Sequence, residues 1–72
     1  MPSEQLTSHL PHIVWIRYLG SKRFIARFRG PVDKATDDIL KVRKDKTIAD
    51  AYLLPEGRDV EKFHQQRLEL DK

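Results

Sequence analysis

The chain has 72 residues, of which 39% are hydrophobic and 35% charged, with no cysteine and a formal net charge of +3. A chain this short makes one domain, which buries only about 60% of the surface its unfolded state exposes, and without cysteine it has no disulfide, thiolate zinc site or thiol chemistry. No run approaches the roughly 20 apolar residues that span a bilayer and no secretory signal opens the sequence, so the expected location is cytoplasmic, with no membrane partner.

Residues 1–11 mix Ser3, Glu4, Gln5, Thr7 and Ser8 with only Leu6 and Leu10 as apolar anchors. They read as a flexible N-terminal arm, leaving 12–72 as a single small domain. His12 to Leu19 is β-branched and aromatic, and Arg23 to Arg29 repeats that character after Gly20-Ser21. This is the signature of a β-hairpin over about 12–29. Gly20 at the first central position suits a two-residue type II′ turn, which pairs Leu19 with Lys22 and fixes the register. On that register one face carries Ile13, Trp15, Arg17, Phe24, Ala26 and Phe28, the expected core. The other carries Val14, Ile16, Tyr18, Arg23, Ile25 and Arg27, continued by Arg29. A one-residue slip would exchange the faces of one strand.

Gly30-Pro31 closes the hairpin, after which Val32, Ala35, Ile39 and Val42 recur at helical spacing and predict a helix over 33–44. Asp33, Asp37 and Asp38 toward its start and Lys41, Arg43 and Lys44 toward its end oppose the macrodipole, and Asp37 stands four residues before Lys41. A strand over Ile39 to Arg43, making a second hairpin, is the competing reading. Residues 47–54 are read as a third strand, because a lone hairpin is marginal in water. Asp59 then caps a helix over about 59–70, with Val60, Phe63, Arg67 and Leu70 in one stripe and the Arg67 stem laid along apolar surface. The fold class expected is α+β, a small antiparallel sheet built on the hairpin and packed by one or two helices.

No constellation for chemistry emerges. His9 and His12 stand His-x-x-His without an acidic third ligand nearby in sequence, and Ser8 and Ser21 lack any strained elbow or oxyanion loop. The Asp33, Asp37 and Asp38 cluster is accounted for by the helix start, and glycines at 20, 30 and 57 forbid a phosphate-binding loop. No enzyme activity, cofactor, metal or small-molecule substrate is expected.

The informative feature is charge distribution. From Gln5 to Val32 there is no carboxylate but five basic residues, whereas Asp33 to Lys72 holds nine basic and ten acidic ones. Such asymmetry points to an acidic or polyanionic partner, against the alternative of a merely solvated face. Arg17, Tyr18, Lys22, Arg23, Arg27 and Arg29 are the candidate partner-binding residues. Arginine and tyrosine suit protein hot spots, with forks pairing to an acidic patch, and they suit nucleic acid equally, with arginine on phosphate and Tyr18 stacking a base. The signature of RNA-recognition domains, a G-x-x-G clamp and a helix-turn-helix are all missing.

In general profile the chain resembles the tiny, basic, cysteine-free accessory regulators of phages and plasmids, although no motif carries the likeness. That profile implies a regulator bound to a protein of the transcription or nucleic-acid machinery, for example one modulating RNA polymerase. The alternative is a direct, weakly specific RNA- or DNA-binding module.

Overall fold

The computed structural model describes residues 10–70. Apart from Leu10 and Pro11, the expected arm lies outside the described residues. Among the described residues five elements follow in order: β1 (His12–Tyr18), β2 (Ile25–Gly30), α1 (Val32–Val42), β3 (Ile48–Pro55) and α2 (Val60–Leu70). The strands form one sheet of order β2-β1-β3, with β1 antiparallel to both neighbours. This is the α+β architecture expected, including the third strand and both helices. The strand reading of Ile39 to Arg43 is not taken up, since Ala35, Ile39 and Val42 bury one face of α1.

The core lies on the α1 side. Val14, Ile16, Ala35, Ile39 and Val42 are buried together, and Phe28, Ile48, Ala51 and Leu53 pack against them. Full burial of one such aliphatic side chain contributes roughly 1.5–3 kcal/mol. The expected core face of β1 is therefore inverted: Val14 and Ile16 point into the main core, and Ile13, Trp15 and Arg17 point the other way. The reason is topological. As the middle strand, β1 is covered on both sides, so Ile13-Val14-Trp15-Ile16 is an unbroken apolar run from which period-two alternation cannot select a face.

Phe28 nonetheless reaches the core, because β2 is bulged. Trp15 pairs with Ala26 and Ile16 with Ile25, as the sequence register predicts, but Val14 pairs with Phe28 and Ile13 with Arg29. The extra residue, Arg27, exchanges the faces of everything after it. Phe28 joins Val14, and Arg29 moves to the Ile13 side. The Phe28 ring lies so close to Gly30 that a Cβ there would stand 3.0 Å from it.

The turn also differs from expectation. The Ser21 amide donates to the Tyr18 carbonyl at 3.0 Å, and Gly20 has φ of +81°. With Gly20 third and Leu19 second at negative φ, the turn fits type II, which splays the strands where type II′ would pair them. Leu19 does not meet Lys22; its amide donates to the Thr47 carbonyl at 2.9 Å. Residues 21–24 are left as an irregular connection outside the ladder.

Helix α2 occupies the opposite side of the sheet. Tyr52 pairs with Trp15, one residue out of phase with Ala51 and Leu53, and its ring meets Phe63 at 5.2 Å and His64 at 5.7 Å between centroids. Asp59 caps the helix as expected, its Oδ1 accepting the amides of Glu61 at 3.0 Å and Lys62 at 3.2 Å. Val60 is buried and Arg67 sits 5.9 Å over the Tyr52 ring, but Leu70 is 84% exposed, so the predicted stripe stops short of the C-terminal turn. No helix of the described residues is long and apolar enough to cross a membrane.

Candidate partner-binding site

The six candidate residues do not form one basic face. Arg17 is half-buried and points toward the α2 side, where its Nε donates to Asp50 Oδ2 at 2.8 Å and its Nη1 to the Ser21 carbonyl at 2.6 Å. It ties β1 to β3 and braces the turn, so it positions the connection that follows. Arg27, at the bulge, donates from Nε to Asp38 of α1 at 3.1 Å. Arg29 makes a fork to Glu56, at 2.7 and 3.1 Å. Hydrogen bonding by Arg29 holds the Glu56 carboxyl below its ordinary range, and the same pair raises the Arg29 guanidinium further. The carboxylates missing from 5–32 in sequence are thus supplied in space by Asp38, Asp50 and Glu56.

Lys22 and Arg23 are different. Both are exposed, and among the described residues neither side chain has an ion pair. The Ser21 hydroxyl accepts the Arg23 amide at 3.2 Å, which fixes the backbone beneath them. Tyr18 pairs with Ile48 and is 40% exposed, on the α1 side and away from this pair's neighbours.

The connection 21–24 runs beside α2. Phe24, expected in the core, instead packs edge-on to His64 at 5.2 Å and beside Tyr52 at 5.7 Å between ring centroids. The Tyr52 hydroxyl and His64 Nδ1 lie 2.7 Å apart, a hydrogen bond that links β3 to α2. Between these elements opens a groove of about 240 Å³, lined by Arg17, Lys22, Phe24, His64, Gln65 and Leu68. Its rim is basic, its floor aromatic, and Leu68 is 46% exposed at its edge. A second depression, of about 210 Å³, lies along the first turns of α2 between Arg58, Lys62, Phe63 and Gln66, and contains the capping Asp59.

Of the residues lining this groove, Arg17 and Lys22 are among the sequence candidates, whereas Phe24, His64, Gln65 and Leu68 are not. The missed signal is helical: His64 and Leu68 stand four and eight residues after Val60, completing the sheet-facing side. Among the described residues no three His, Asp or Glu side chains gather as a metal site. Compared with protein-family models, curated proteins and solved structures, the chain matches none.

Proposed function

We propose that this chain is a non-catalytic regulatory protein that docks on an acidic patch of another protein, using Lys22, Arg23 and the groove between residues 21–24 and α2. The observation that carries this reading is the pairing of the other arginines. A surface that tracks a nucleic-acid backbone needs several cations available to phosphate, each contact releasing counterions. Here Arg17, Arg27 and Arg29 are engaged by Asp50, Asp38 and Glu56. Of the six candidate residues this leaves Lys22 and Arg23 as cations without an ion pair among the described residues, beside a groove with a basic rim and an aromatic floor, a combination suited to a protein interface with a desolvated centre and a charged rim. The Phe24 ring is packed against Tyr52 and His64, which also argues against base stacking on it. The small, basic, cysteine-free profile supports a partner within the transcription or nucleic-acid machinery.

The test is affinity capture from lysate on the wild-type chain and on Lys22→Glu/Arg23→Glu, each with and without nuclease. One defined protein retained after nuclease and lost from the folded double variant is the expected result. Loss of all captured material on nuclease treatment, with retention falling steeply and linearly against salt on a log–log plot, contradicts the reading and favours direct nucleic-acid binding.

A further inference from the structure

Among the described residues β2 and β3 each pair on one side only, and the two edges are built differently. Their hydrogen-bonding directions follow from two contacts. Glu56 donates its amide to the Pro11 carbonyl at 2.9 Å, and Leu19 donates to Thr47. Main-chain groups alternate along an antiparallel strand, so Ile13, Trp15 and Arg17 turn toward β3, and Asp50, Tyr52 and Leu54 turn back toward β1. The outward groups of β3 therefore belong to Ala51, Leu53 and Pro55. By the same count His12, Val14 and Ile16 face Gly30, Phe28 and Ile25, which leaves Ala26 and Arg29 outward on β2.

The β2 edge is guarded. A bulge at Arg27 interrupts it, and Arg27 and Arg29 flank it with charge, the devices that keep an edge strand from pairing. The β3 edge carries a register shift near Ala49 and a proline at its end, but its outward positions between them, Ala51 and Leu53, are uncharged. Ala51-Tyr52-Leu53-Leu54-Pro55 carries no charge, and the neighbouring Asp50 is neutralised by Arg17. Pro55, which lacks an amide, stands at an outward position, as prolines in edge strands do.

We propose that the outer edge of β3 pairs antiparallel with β3 of a second copy of this chain, giving a two-fold dimer with a continuous six-stranded sheet. The strand is self-complementary about Tyr52. Ala51 opposite Leu53 of the second copy, and the converse, aligns outward donors with outward acceptors for four main-chain hydrogen bonds. Tyr52 then faces Tyr52, and Asp50 faces Leu54, so no like charges stand opposite one another. Ala49, exposed beside the register shift, falls opposite Pro55, which has no amide to donate to it. The basic groove is not consumed, and a dimer presents two of them, which multiplies affinity for a partner with repeated acidic patches.

The experiment is amide hydrogen exchange by NMR on the whole chain in dilute and concentrated samples, with mass from light scattering. Dimerisation is expected to slow Ala51 and Leu53 by about tenfold or more on concentration, while Tyr52 and Leu54 stay slow throughout. Ala49→Lys, an exposed edge charge that leaves Lys22 and Arg23 untouched, is expected to abolish that dependence and keep a folded monomer. Three results overturn the proposal: a monomer at every concentration with fast exchange at Ala51 and Leu53; slow exchange there already in a dilute monomer; or concentration-dependent protection at Ala26 and Arg29 instead. Because none of these readouts involves the acidic partner, failure here is distinct from failure of the docking surface.

Discussion

The two faces of the sheet are built from different materials. Under α1 the buried side chains are aliphatic, with the Phe28 ring packed against them: Val14 and Ala35 are 0% exposed, with Ile16, Ile39 and Val42 at 3% or less. Under α2 only Leu54 and Val60 are buried, and the rest is a half-exposed set of rings, Phe24, Tyr52, Phe63 and His64, interleaved with Arg17 and Arg67. The difference separates two tasks. Aliphatic packing scales with area removed from water and supplies stability, whereas aromatic and cationic side chains left partly wet supply specific contacts at modest stabilisation. The first face holds the domain together, and the second is the surface proposed for docking a partner.

The largest effect should follow from hollowing the α1 face. Ile16→Ala leaves a cavity beneath α1 and should cost about 2–5 kcal/mol, a large part of the stability of any small domain. Urea unfolding with the midpoint as readout checks this. A midpoint within error of wild type would mean that the main core lies on the α2 side.

A smaller change should follow on the aromatic face. Tyr52→Phe keeps the ring but removes the hydroxyl that meets His64 Nδ1 at 2.7 Å, a loss of about 1 kcal/mol. The same denaturation series measures it. A loss equal to that of Ile16→Ala would erase the proposed division of tasks.

The smallest effect belongs to the exposed fork between Arg29 and Glu56, since surface pairs contribute little and are screened by salt. Its direction is nevertheless fixed. The Glu56 carboxyl is held below its ordinary 4.5 in the folded state, so the stabilisation is fully present above that pH and is lost as pH falls through the lower, folded value. Arg29→Gln should therefore raise the Glu56 midpoint toward 4.5, as read by carboxyl carbon NMR. An unmoved midpoint would show that Arg29 does not hold this carboxylate in solution.

The same contrast explains what was legible in the residue order. Helix α1 could be read because Ala35, Ile39 and Val42 bury one stripe against one surface, and the Asp59 cap could be read because it is local. The faces of β1 could not, because a middle strand sandwiched between two helices loses its alternation. The bulge at Arg27 has no local marker, and without it Phe28 and Arg29 are assigned to the wrong sides. Nor can a carboxylate-free stretch announce that Asp38, Asp50 and Glu56 will fold back onto it. Charge clustering in sequence became charge pairing in space, and of the five basic residues in that stretch only Lys22 and Arg23 have no ion pair among the described residues.

That distinction is open to one direct measurement. Binding of Lys22→Glu/Arg23→Glu and of Arg27→Gln/Arg29→Gln should be compared, by calorimetry, for the protein that the wild-type chain retains after nuclease treatment, once circular dichroism has established that both variants fold. The account predicts that the first variant loses most of its affinity and that the second stays within a few-fold of wild type, because Arg27 and Arg29 lie on β2 and do not line the groove. Equal losses, or a larger loss for Arg27→Gln/Arg29→Gln, would contradict it and return the binding surface to the β2 edge.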